Sequence, residues 1–311
     1  MTLHPEIAEV LASLPEPPPG PLDPVAMRAG EEAQVAPLDE RVGLHAVEDA
    51  TAHAETGDVP VRVYTPSPDA SGLLVYFHGG AFFLGSLETH DHVARALAKE
   101  TGLVVVSVGY RRAPESAFPA GLQDCYAAVR WAAERYGSGG GTLAIAGDSS
   151  GAGFVAAVAA MAHDDAVTGG HSDRITHQIM FYPSLDLDFD IDRYPSMREN
   201  AEGYGLETAG LAPFNAFYLD SGADPADPRV SPIKREDLTG LPQALIITAQ
   251  YDPMRDEGER YGARLSDAGV ETTVRRYSFA NHGFVQNFSW IPECYQAFVE
   301  TAEFLAGRHA R

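Results

Sequence analysis

The chain has 311 residues, 45% hydrophobic and 21% charged, ordinary globular material for one large domain or two small ones. Its 44 acidic residues against 22 basic ones leave a formal net charge of −22. Such a field repels phosphate backbones and anionic lipid surfaces, which argues against nucleic-acid and membrane partners.

Cys125 and Cys294 are the only cysteines. They fit no metal-ligand spacing and read as free thiols of a reducing compartment. With no basic-then-apolar leader and no apolar run of membrane-spanning length, the expected location is cytoplasmic.

Residues 3–14 are predicted to form a short amphipathic helix, with Leu3, Ile7, Val10, Leu11 and Leu14 on one face. The proline-rich stretch 15–21 stops it and reads as a stiff spacer before a second helix over 24–36. Strands are expected to begin near Val42, and 59–64 alternates as a half-buried strand does. Apolar strands then follow over 73–77, 103–108, 143–146, 175–181 and 244–248, with helices starting near Thr89, Gly121, Ser150 and Met254. A last strand over 272–277 precedes a helix from Pro292. This alternation predicts a parallel sheet covered on both faces. Residues 185–230 break the rhythm with acids, Pro, Gly and aromatics, and read as an inserted cap.

The stretch Gly147-Asp148-Ser149-Ser150-Gly151 has the form G-x-S-x-G and sits between an expected strand and an expected helix. In that setting a sharp turn holds Ser149 at its tip, hydroxyl outward, over a helix N-terminus. In a chain with 30 glycines the bare pattern is weak, and a plain helix cap is the alternative. Upstream, His78-Gly79-Gly80-Ala81 follows the strand 73–77. Acyl transfer needs backbone N–H donors where an oxyanion develops, and the candidates are Gly79, Gly80 and Ser150.

A serine nucleophile needs a base. Of eleven histidines, His282 lies in an expected loop after the last strand, at the sheet edge where sites form. His45 and His53 read as strand or surface residues. His90 and His92 are two apart on a helix and do not face each other, which argues against a metal pair. The base needs an orienting acid, and Asp252 follows the strand 244–248. Taken alone, Asp252 reads as an N-cap before Pro253. Asp256 and Glu257, further into the helix, are rival acids. The order Ser149, Asp252, His282 is that of α/β-hydrolases.

These blocks, together with Tyr110-Arg111-Arg112-Ala113-Pro114-Glu115, the tract from Phe118 to Asp124, and Ser231-Pro232, resemble the motifs of the bacterial hormone-sensitive lipase family of esterases. The resemblance covers about residues 40–305. It implies an α/β-hydrolase fold: a mostly parallel central sheet flanked by helices, with a helical cap. Residues 1–40 and 185–230 would form the cap, and 41–184 with 231–311 the catalytic body. Ser149 would be the nucleophile, His282 the base and Asp252 the orienting acid. The reaction would be hydrolysis of small uncharged esters with short to medium acyl chains, with no metal or cofactor, and the family habit points to a homodimer. Phe82, Phe83, Tyr182, Phe214 and Phe284 are the candidate pocket walls, with ordinary core packing the alternative for each. Ala81 stands where the family commonly has a third glycine, and Ser150 where it often has alanine. Two other readings stay open on the same fold: an amidase such as an arylformamidase, and a ligand receptor.

Overall fold

The computed structural model describes residues 2–307 apart from 16–19, 38–39, 56, 138–140 and 170–173. The centre of the proline-rich stretch therefore lies outside the described residues. One eight-stranded sheet runs through the molecule in the order β1-β2-β4-β3-β5-β6-β7-β8. The strands are β1 (Ala46–Ala54), β2 (Gly57–Thr65), β3 (Leu73–Phe77), β4 (Val104–Val108), β5 (Leu143–Asp148), β6 (His177–Phe181), β7 (Gln243–Tyr251) and β8 (Thr272–Asn281). β1 pairs antiparallel with β2, and β2 with β4. All the other pairings are parallel.

The central strands β3, β4 and β5 are buried at every position, as a sheet covered on both faces requires. Side chains alternate across it. Leu73, Val75 and Phe77 of β3 join the core shared with α4 (Ala120–Tyr136), α5 (Ser150–Val167) and α8 (Arg255–Asp267). Leu74 and Tyr76 join the opposite core, shared with α3 (Asp91–Thr101) and α10 (Pro292–Leu305).

Three small departures from the expected elements have local causes. The first strand begins at Ala46, not near Val42, where its nine-residue register with β2 starts. The second helix, α2 (Pro24–Glu32), is set by Asp23, whose carboxylate accepts from the Val25 and Ala26 amides, and it ends before 36. β8 runs four residues past Tyr277 because its pairing with β7 resumes at Tyr251 and Asn281 after a register shift.

The N-terminal helix α1 (Pro5–Ser13) docks on the β8 side of the sheet. Its Ile7 is fully buried, and the His4 amide donates to the Phe279 carbonyl at 2.9 Å. Between β6 and β7 the chain carries α6 (Ser196–Glu199) and α7 (Thr208–Leu219). A one-turn 3-10 helix, Pro232–Lys234, returns it to the sheet, and α9 (Phe284–Asn287) follows β8. No helix among the described residues is long and apolar enough to cross a membrane.

The face under α10 is held by large side chains such as Phe298, fully buried with its ring centroid 6.2 Å from that of Phe181. Phe298→Ala should cost about 3–5 kcal/mol. Urea unfolding would show it as a lower midpoint at unchanged slope. A loss under about 1 kcal/mol would mean that this face repacks freely.

Candidate active site

Four strand ends meet at the carboxyl edge of the parallel sheet. β3 delivers His78-Gly79-Gly80, β5 delivers Ser149, β7 delivers Asp252, and β8 delivers His282. Ser149 sits at φ 51, ψ −120, a conformation that costs a non-glycine residue on the order of 1–3 kcal/mol. Its neighbours make that turn sterically feasible. A Cβ on Gly147 would come within 2.5 Å of the Gly151 carbonyl oxygen, and one on Gly151 would overlap the Phe77 carbonyl oxygen. Ser149 stands in the N-cap place of α5, yet its side chain makes no capping bond. The plain-cap reading of this motif is thereby set aside.

The hydroxyl is instead 2.9 Å from His282 Nε2. His282 Nδ1 lies 2.8 Å from Asp252 Oδ2. Asp252 is fully buried, and its other oxygen, Oδ1, accepts from the Met254 amide at 2.8 Å. The N-cap reading of Asp252 is corrected: Met254 stands in the N-cap place of α8, which has no side-chain cap, and Asp252 Oδ1 closes a turn onto the Met254 amide just before the helix while Oδ2 faces His282. The rival acids face elsewhere. Asp256 Oδ2 accepts from the Ser196 amide, and Glu257 Oε1 accepts from the Leu185 amide at 2.7 Å.

The glycine loop requires a correction. The Gly79 amide is not free to receive an oxyanion, because it donates to Asp148 Oδ1 at 2.8 Å. Among the described residues, the amides of Gly80, Ala81 and Ser150 have no hydrogen-bond acceptor. All three residues line the cavity beside Ser149. Gly80, Ala81 and Phe82 adopt consecutive left-handed conformations (φ 116, 49 and 67), where the loop lines the cavity beside Ser149. The Ser150 hydroxyl pins that loop by accepting from the Phe82 amide at 3.2 Å.

Beneath the loop lies a buried polar network. Asp148 accepts from the Tyr76 hydroxyl at 2.5 Å, and His90 Nε2 is 3.7 Å from its Oδ2. Burial alone would push the Asp148 carboxyl up; the nearby His90 and the Tyr76 hydroxyl outweigh it and hold the group below the ordinary carboxylate range. His78, fully enclosed, is pushed down to about 3 by burial, so its imidazole is neutral. Its Nδ1–H donates to the Gly79 carbonyl at 2.8 Å. His92 points away from His90, with Nε2 2.7 Å from the Gln286 carbonyl oxygen.

The cavity above Ser149 holds about 420 Å³. Phe82, Tyr182 and Phe214 line it as expected. Phe83 and Phe284 do not. Phe83 packs behind the wall against Phe214 and Phe217, at 5.6 and 4.8 Å between ring centroids. Phe284 is buried behind Tyr182 and stacked on Tyr277 at 4.9 Å. Sequence reasoning missed most of the apolar wall: Val10, Leu11 and Leu14 from the N-terminal segment, Leu206 and Leu211 from 185–230, and Met254 and Phe288. The apolar stripe of residues 3–14 was the available signal for the first three. Among the described residues, Asp148 and His282 are the only Asp, Glu, Lys, Arg or His in the lining.

A family model described as the alpha/beta hydrolase fold matches residues 74–286. The carboxylic ester hydrolase LipN of Mycobacterium tuberculosis is 39% identical over 248 residues, 78% of this chain and 65% of its own. The chain thus spans just under two thirds of that relative. The carboxylesterase NlhH of the same species is 40% identical over 243 residues, 75% of this chain and 73% of its own. The solved structure of an esterase from Pyrobaculum calidifontis is 36% identical, with a TM-score of 0.86 over 98% of each chain.

The rejected acid Glu257 has a measurable consequence. Burial, helped by the Asp186 and Asp252 charges, pushes its carboxyl well above the ordinary 4.5. Above that pH the unfolded chain releases a proton that the folded state keeps, so stability falls as pH rises through the window up to the raised native value. Glu257→Gln keeps an acceptor for the Leu185 amide and cannot ionise. The variant should lose less stability than the wild type between about pH 5 and about pH 8, compared by urea midpoints. Equal losses would show that Glu257 does not titrate differently in the two states across that span.

Proposed function

The chain belongs to the hormone-sensitive lipase family of α/β hydrolases, and we propose that it is a serine carboxylesterase acting on small uncharged esters with short to medium acyl chains. The observation that carries this reading is the relay from Ser149 Oγ through His282 to Asp252, at 2.9 and 2.8 Å, with the serine hydroxyl free of any capping role.

In this mechanism Ser149 Oγ attacks the ester carbonyl carbon while His282 Nε2 takes its proton. Asp252 Oδ2, on Nδ1–H, fixes the tautomer and stabilises the imidazolium. The carbonyl oxygen, now an oxyanion, takes hydrogen bonds from the Gly80, Ala81 and Ser150 amides, each such donor being worth on the order of 10²–10³ in turnover. Collapse of the tetrahedral adduct expels the alcohol with the proton from His282. Water then attacks the acyl-enzyme, giving its proton to His282. The second adduct releases the carboxylic acid as that proton returns to Ser149.

Residues 1–40 and 185–230 act together as the cap over a body formed by 41–184 and 231–311. Their leucines and Phe214 supply an apolar wall to the cavity. That wall favours uncharged acyl or alcohol groups, since burying a charge there would find no partner. Each added methylene that fits contributes about 0.8 kcal/mol of burial until the cavity is full.

Hydrolysis of p-nitrophenyl esters, from roughly two to roughly twelve acyl carbons, tests both halves of the proposal. Turnover should peak among the short and medium chains. Ser149→Ala should lower it by on the order of 10⁴-fold or more. A maximum at the longest, emulsified chains would overturn the size argument, and activity surviving in the variant would move the nucleophile elsewhere.

A further inference from the structure

The segment after α6 reaches the acid of the relay from outside the cavity. Asn200 is buried, and its Nδ2 donates to two backbone carbonyls, that of Gln250 at 3.1 Å and that of Asp252 at 3.0 Å. Gln250 is the residue skipped where the β7–β8 register shifts, so its carbonyl needs a partner outside the sheet. The neighbouring Ser196 continues the grip. Its hydroxyl donates to the Pro253 carbonyl at 2.7 Å, and its amide donates to Asp256 Oδ2 at 2.8 Å. One short piece of the insertion thus bonds the carbonyls of residues 250, 252 and 253, the first two of which also accept from Arg255, through Nη1 and the backbone amide, at 3.2 Å each. The same insertion holds the base: Asn281, next to His282, donates from Nδ2 to the Tyr204 carbonyl at 2.9 Å.

We propose that Asn200 is a positioning residue for hydrolysis, fixing the backbone that aims the Asp252 carboxylate at His282. The inference rests on the triad reading above. Asp252 must present Oδ2 to His282 while Oδ1 accepts from the Met254 amide, so the plane of the carboxylate follows the path of residues 250–254. A primary amide has two protons, and here both are directed at that path. Losing them lets the bend relax, and a displacement of order 1 Å in a catalytic group costs about 10²-fold in rate. The site for substrate is untouched, because Asn200 does not line the cavity.

The test is a double-mutant cycle on steady-state ester hydrolysis with Asn200→Ala, Asn200→Asp and Asp252→Asn, each variant also melted thermally. Arg198→Ala, an exposed neighbour paired with Asp192, serves as control and should leave activity unchanged. Asn200→Ala should lower kcat about 10- to 100-fold with KM within about twofold. Asn200→Asp should do the same, since it sets a carboxylate against two carbonyl acceptors. In the Asp252→Asn background, itself lower by on the order of 10⁴-fold, adding Asn200→Ala should cost less than about twofold more. An equal fractional loss in both backgrounds, a loss carried by KM, or unfolding of both Asn200 variants would overturn the proposal. Full activity in Asp252→Asn alone would instead sink the triad reading and this inference with it.

Discussion

The site depends first on a backbone conformation that a serine tolerates poorly. Ser149 is held at positive φ where β5 turns into α5, and the close passage of the Phe77 carbonyl past Gly151 leaves no room for a larger residue. The strain is sustained by the elements on either side, a strand buried throughout and an eighteen-residue helix. The reward of that geometry is a hydroxyl directed at His282 and three consecutive features around it: the Ser150 amide, the Gly80–Ala81 turn, and the cavity.

Around that turn the sheet and the connecting segments divide the work. The parallel strands fix where Ser149, Asp252 and His282 begin, because each lies within one residue of a strand end. Much of the apolar wall comes from two stretches far apart in the chain, the N-terminal segment and the segment between β6 and β7. The second stretch also bonds the loops carrying the acid and the base, through Asn200 and Asn281. Chemistry and enclosure are therefore joined by hydrogen bonds as well as by contact.

Much of this was legible in the sequence, and the residues show why. The strands with continuous apolar runs, such as 73–77, were readable because burial on both faces leaves no polar positions. Ser149, His282 and Asp252 were singled out by local turn chemistry and chain order, and the structure brings their side chains within hydrogen-bond reach of one another. The choice of Gly79 as a donor failed because its amide is captured by Asp148, a contact between residues 69 apart that no local pattern reports. Ala81 was read as a departure from a glycine pattern, although it lines the cavity beside Ser149. Phe83 and Phe284 looked like walls from their neighbourhood. Which side of a turn an aromatic ring takes is decided by packing against Phe217 or Tyr277, not by proximity to a motif.

The two oxygens of Asp252 have two different partners, the Met254 amide in the turn before α8 and the imidazole of His282. This ties the acid to its address. A carboxylate transplanted to another strand end would have to reach His282 and leave the buried Met254 amide without its acceptor, or else bring a similar turn with it. Shortening or lengthening the side chain at 252 would upset both ends at once. Asp252 is thus the least portable of the three residues, anchored by the turn it closes as firmly as by its contact with His282.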